Sequence, residues 1–224
     1  MPVVIDLWRV SGISVSPHNG QIGRWRRRAS RRRSVRRLLA CALVVLMTTT
    51  TSGLWAASDE VVEQLRAGGN VLLIRHALAP GIGDPANFRL GDCSTQRNLS
   101  EAGRIQARAI GDWLRARGVG RARVYSSQWC RCLETAKLLG LGKVTELPAL
   151  NSFFERTQDR EPNLTALRDF LVRQAPDGEL LVLVTHQVTI SGLSGEFVPS
   201  GKGLLVSIEP GGSVRTAAPV AFGE

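Results

Sequence analysis

Eight residues constrain this chain more than any others: Asn70-Val71-Leu72-Leu73-Ile74-Arg75-His76-Ala77. Four consecutive apolar residues read as a short buried strand, and the chain then delivers an arginine and a histidine at its carboxyl end. In open α/β sheets that edge is where ligands bind. Pro80-Gly81-Ile82-Gly83-Asp84-Pro85 follows, which stops the strand and starts a loop. An Arg-His pair in that setting suits an anion and a nucleophile, although short motifs of this kind are weak alone.

The residues around this strand alternate between the two secondary-structure periods. A short helix is expected over Glu60–Ala67, before the strand. Ser100 reads as an N-cap, with Glu101 complementing the helix dipole, and apolar residues follow at Ile105, Ala109, Ile110, Trp113 and Leu114. Arg123-Val124-Tyr125 reads as a second strand, Trp129–Leu139 as a helix ending at Gly140, and Val144–Leu147 as a third strand stopped by Pro148. Asn163 reads as the cap of a further helix, with Leu164, Leu167, Phe170 and Leu171 on its apolar face. Glu179–Thr185 is the most strand-like run and ends in His186; Leu204–Ile208 and Val214–Ala217 read as a terminal hairpin. Such alternation predicts an α/β fold with a mostly parallel central sheet and helices on both faces, a three-layer α/β/α sandwich.

Charge divides the chain in two. The formal net charge is +10, yet ten arginines precede residue 38 against the single acid Asp6. From Ala57 onward nineteen basic residues face eighteen acidic ones, a net of +1, so the basicity is no nucleic-acid footprint. The arginine-rich run leads into the apolar stretch Leu38–Met47 and then small residues ending in Ala56-Ala57. That order describes a secretory signal peptide cut near Ala56, or an uncleaved anchor over residues 38–57. Either way residues 57–224 are expected as one domain beyond the membrane, periplasmic or secreted. Membrane contact is then expected only through an uncleaved leader, and no nucleic-acid partner is expected.

Two of the three histidines, His76 and His186, directly follow apolar strands. Arg75 sits beside the first, and Arg131 lies at the start of a helix just after the second strand. A phosphoryl group wants this set. Guanidinium forks bind its oxygens bidentately, and a neutral imidazole can attack phosphorus. Fixed cations can carry the charge stabilisation that magnesium gives elsewhere, so no metal or other cofactor is expected.

Taken in order, Arg75-His76, Leu99-Ser100-Glu101-Ala102-Gly103-Arg104, Tyr125-Ser126-Ser127-Gln128-Trp129-Cys130-Arg131 with Thr135-Ala136, and Thr185-His186 resemble the histidine phosphatase superfamily. This is the phosphoglycerate mutase-like group, and the chain looks like a small exported member. The resemblance implies a phosphoric monoester hydrolase in which His76 becomes a phosphohistidine, with Arg75, Arg131 and His186 lining the phosphate pocket and Arg97 and Ser127 at the substrate. Where many acid phosphatases of the family carry an aspartate after the second histidine, this chain has Gln187. The proton donor is therefore expected between Arg131 and His186, with Glu155 first and Asp159 and Glu161 behind it.

The segment from Arg131 to His186 leaves little room for lid insertions, and the resulting open pocket suits a bulky phosphorylated small molecule or glycan. Resemblance to compact exported members points to lipopolysaccharide sugar phosphates. Two alternatives stand beside this: a phosphate-binding protein of the same fold without catalysis, and a phosphohistidine or phosphoprotein phosphatase. The implied topology also brings Cys93 near Cys130 and Cys132, so a disulfide from Cys93 to either is expected, against three free thiols.

Overall fold

A computed structural model describes residues 59–174, 178–209 and 212–223. The expected signal segment, residues 1–56, lies outside the described residues. Among those described, no helix is long and apolar enough to cross a membrane.

Among the described residues eleven α-helices and β-strands follow one another. They are α1 (Asp59–Ala67), β1 (Val71–Arg75), α2 (Glu101–Ala116), β2 (Arg123–Ser126), α3 (Cys130–Leu139), β3 (Val144–Glu146), α4 (Arg160–Arg173), β4 (Leu181–Thr185), α5 (Gln187–Ser194), β5 (Gly203–Ile208) and β6 (Val214–Val220). The strands form one six-stranded sheet in the order β3-β2-β4-β1-β5-β6. Pairings from β3 through β1 are parallel, and β5 and β6 add an antiparallel edge.

Side chains alternate across a strand, so each apolar strand feeds two cores. Leu72, Ile74, Val182 and Val184 point to one face, where they meet Val61 and Leu65 of α1, Ile110 and Leu114 of α2, and Leu139 of α3. Val71, Leu73, Leu181 and Leu183 point to the other, against Leu164, Leu167 and Leu171 of α4 and Ile190 of α5. The result is the expected α/β fold with its mostly parallel sheet between two helical layers.

Local signals hold where capping chemistry fixes them. The Ser100 hydroxyl accepts from the Gly103 N–H, and α3 ends at Gly140 in the left-handed region, φ 63°. Two expectations are corrected. Helix α2 does not bury Ile105, which is 59% exposed; its inward face is Gly103, Ala107, Ile110, Gly111 and Leu114. Close backbone approach explains this, because an added Cβ at Gly103 would fall 2.1 Å from the Leu78 carbonyl oxygen, and one at Gly111 2.0 Å from that of Leu139. Asn163 caps nothing. Helix α4 begins a turn earlier at Arg160, and the Asn163 amide instead donates to the Asn151 carbonyl at 3.4 Å. Helix α5 lies where the sequence analysis assigned no element; packing of Ile190 and Leu193, and the Gly195 cap at φ 81°, hold it.

Candidate active site

Register builds the site. In the β1–β4 pair Arg75 lies level with Thr185, so the next residue on each strand is a histidine. The His76 N–H donates to the Thr185 carbonyl at 3.0 Å, and the two imidazoles meet edge to face with centroids 5.5 Å apart. Strand β2 flanks β4 on its other side, and the chain leaving it enters α3, whose second residue is Arg131. The Thr135 hydroxyl couples these parts, donating to the Arg131 carbonyl at 2.7 Å and accepting the Ala77 N–H at 3.0 Å.

His76 is 3% exposed, and its Nδ1 lies 2.8 Å from the Ala77 carbonyl oxygen. A carbonyl only accepts, so Nδ1 carries the proton and Nε2 keeps its lone pair. Burial first, and then the charges of Arg131, Arg97 and Arg75, push the His76 pKa down to about 3 against the opposing Ala77 hydrogen bond. The ring is therefore a neutral imidazole with one free nitrogen. His186 is also held well below the usual imidazole value, by burial and then by Arg131 and His76. Its Nε2 lies 2.9 Å from Ser127 Oγ, which itself donates to Asn151 Oδ1 at 3.2 Å. Cys132 Sγ stands 3.5 Å from the same nitrogen.

The arginines supply the charge. Arg131 is buried, and its Nη1 and Nη2 donate to the two carboxylate oxygens of Asp84 at 2.7 and 3.1 Å. Asp84 also accepts the Trp129 indole N–H at 2.9 Å and the Arg97 backbone N–H at 3.1 Å. Burial opposes its ionisation, but the Arg131 fork and these two donors outweigh burial and lower its pKa. Arg97 is tied to the same loop through the carbonyls of Gly83, at 2.7 Å, and Ala79. Arg75 donates to the Val198 carbonyl at 3.2 Å. The Nε atoms of Arg75 and Arg131 are buried with no hydrogen-bond partner. Buried donors left unmade are costly, and both belong to arginines that line the same cavity.

These groups open into a cavity of about 290 Å³. Arg75, His76, Arg97, Arg131, Glu155 and His186 all line it. Ser127 is not among the lining residues: it is fully buried, with its Oγ 2.9 Å from His186 Nε2. Asp159 and Glu161 do not line it either; they pair with Arg156 and Arg160. Glu155 reaches over Gly83, where an added Cβ would lie 2.3 Å from Glu155 Oε1. Gly83 has φ 66°, the left-handed region that favours glycine, and a side chain there would displace the Glu155 carboxylate. Gln187 lines the cavity with its side chain spent on Ser191 Oγ, at 2.7 Å, and on the Val198 N–H, at 2.9 Å.

Sequence reasoning missed Asp84 and Trp129. Asp84 sits in a Gly/Pro-rich run that reads as a loop breaker, and nothing in its spacing reveals the pairing to Arg131. Cys93 and Cys130 form a disulfide, with Cys132 left as a buried thiol. Among the described residues no three His, Cys, Asp or Glu side chains gather as a metal-ligating cluster.

Residues 71–157 match the model of the histidine phosphatase superfamily (branch 1). No curated protein matches the chain. A mycobacterial glucosyl-3-phosphoglycerate phosphatase is similar in fold with a TM-score of 0.50 at 17% identity, over 66% of this chain and 97% of that one. The protein histidine phosphatase SixA gives 0.48 at 17% identity, over 68% and 97%. The α-ribazole phosphatase of Shigella flexneri gives 0.47 at 16%, over 68% and 96%. The matched stretch runs from the β1 strand before His76 through Arg131 to Glu155, and it carries the similarity of this chain to the histidine phosphatase superfamily.

Proposed function

We propose that the protein is a phosphomonoesterase working through a phosphohistidine on His76. One observation carries this reading: a neutral, buried imidazole with its Nε2 free faces a cavity where two buried arginine nitrogens lack partners. The Nε2 lone pair forms the N–P bond as the P–O bond to the alcohol breaks, and Glu155 gives its proton to the leaving oxygen. Water then attacks phosphorus and the N–P bond breaks. Glu155 takes the proton back, leaving inorganic phosphate and free His76. Arg75, Arg97 and Arg131 surround the transferred group with positive charge, so the chemistry runs without a metal ion.

On the substrate side we propose an exported phosphomonoester of the cell envelope, of which lipopolysaccharide sugar phosphates are one class. The arginine-rich apolar leader supports export, and the Cys93–Cys130 disulfide suits an oxidising compartment. Incubation with a ³²P-labelled phosphomonoester and alkaline gel analysis should trap label on the protein, and His76→Ala should abolish both label and turnover while keeping the fold. Label retained by that variant would remove His76 as nucleophile. Stoichiometric phosphate binding by wild type with neither label nor turnover would favour a binding protein instead.

A further inference from the structure

The floor of the cavity is charged, and its mouth sets exposed apolar side chains beside Glu155 and Arg156. Ile82 is 89% exposed, Phe197 68% and Phe154 54%, and all three line this one cavity. They are three of only seven large apolar side chains so exposed among the described residues. Scattered exposed apolar residues are ordinary; a cluster around one opening marks a binding surface. Ile82 stands between Gly81 and Gly83, both at positive φ, at the tip of the loop after β1. Phe197 lies beside Arg75, whose guanidinium is 6.0 Å from the ring centroid. On the inner wall Phe88 stacks on Trp129 at 5.0 Å, and Trp129 meets the edge of His186 at 5.3 Å. An apolar surface therefore runs from beside the histidine pair out to the rim.

Some polar groups of the rim are already engaged. The Gln187 amide is spent at both ends on Ser191 and Val198. The Ser152 hydroxyl accepts the Phe154 N–H at 3.3 Å. The Arg156 guanidinium lies 5.7 Å from the Phe88 ring centroid. An alkyl or aryl group entering here would bury apolar area on both sides, its own and that of Ile82, Phe154 and Phe197.

Resting on the phosphatase reading for its chemistry, we infer that the alcohol next to the phosphate is apolar. The preferred substrate is a phosphomonoester of a hydrocarbon-bearing alcohol, with Ile82, Phe154 and Phe197 as the residues that determine specificity. Within the class of envelope phosphates this selects lipid-like monoesters over bare sugar phosphates.

Primary alkyl phosphates from ethyl to octyl test this, because lengthening the chain barely changes the leaving group. The expected result is a rise in kcat/KM of about 2- to 4-fold per methylene over the first several carbons. The matching alkylphosphonates, which cannot turn over, should tighten in parallel by calorimetric titration. The double variant Ile82→Ser/Phe197→Ser, altered only at exposed positions, should cut the hexyl-to-ethyl ratio by about tenfold or more. Length-dependent phosphonate binding without turnover of any ester would uphold the apolar rim and sink the phosphatase reading. Phosphonate affinities flat with chain length, or a glucose 6-phosphate kcat/KM above that of hexyl phosphate, would overturn the inference whatever the turnover.

Discussion

Asp84 holds both terminal nitrogens of Arg131, at 2.7 and 3.1 Å, with the two side chains only 7% and 3% exposed. The pair joins the loop after β1 to the first turn of α3, and the Trp129 indole and Arg97 amide close it from both sides. The fork thus lines the cavity already oriented. Taking one partner from a buried pair leaves an uncompensated charge, which typically costs about 3–5 kcal/mol. Asp84→Leu and Arg131→Met should each destabilise on that scale in urea unfolding. The double variant should lose clearly less than the sum, and strict additivity would mean the pair is not coupled.

The histidines set a pH dependence whose sign is fixed. His76 takes up its proton near pH 3 in the folded protein, mainly because burial disfavours the cation, but near 6.5 when unfolded. Between those values the unfolded chain binds more protons, so stability rises with pH. The contribution is complete above about pH 6.5 and falls by roughly 1.4 kcal/mol per unit as pH drops toward 3. His186 acts in the same direction. Urea unfolding at pH 5 and pH 7 should show this slope, and His76→Asn should reduce it. Ring C–H resonances of both histidines should not titrate between pH 5 and 8; a midpoint near 6.5 for His76 would contradict the buried neutral ring.

In the proposed mechanism Glu155, which lines the cavity, protonates the leaving oxygen, and that role is separable from binding. Glu155→Gln should lower turnover of an alkyl phosphate by about 10²–10⁴, the usual range for general acid–base catalysis. An activated aryl phosphate, whose leaving group departs without a proton, should be slowed far less in phosphoenzyme formation. Equal losses on both esters would move the acid elsewhere along the rim.

How much of this was legible in the sequence follows from the range of the interactions. Strands β1 and β4 are continuous apolar runs ending in His76 and His186, and the α3 boundary is written in Gly140, so strand, helix and histidine placement can be read locally. The face of α2 cannot, because it turns on which carbonyls approach Gly103 and Gly111 from other parts of the chain. Asp84 escapes notice for the same reason: its partner is 47 residues away, and only the fold brings them together. Ser127 has the opposite problem. Its motif position is right beside the site, but the chain turns its hydroxyl inward to Asn151 and His186.

The Cys93–Cys130 disulfide spans 37 residues and ties the loop bearing Asp84 and Arg97 to the residue before Arg131. Closing a loop of that length stabilises by about 4 kcal/mol in the chain-entropy model. Its position also gives it a kinetic signature. Next to it the Cys130 N–H donates to Gln96 Oε1 at 2.9 Å, and the Asn98 amide donates to the Cys93 carbonyl at 2.7 Å, so the backbone on both sides is anchored. Loss of the bridge should loosen Arg97 and Arg131 together, raising KM for a phosphomonoester more than it lowers kcat, and Cys93→Ser should reproduce the effect of reductant. Cys132 offers an internal reference. It is fully buried, and burial pushes its thiol pKa up to about 12, so it should not react with a thiol reagent in the folded protein. For a chain beginning at Ala57, unreduced protein should therefore show no reactive thiol when folded and one when denatured. Three on denaturation would mean that Cys93 and Cys130 are not joined, and the Arg97 loop would then be held to α3 by hydrogen bonds and the Asp84–Arg131 pair alone.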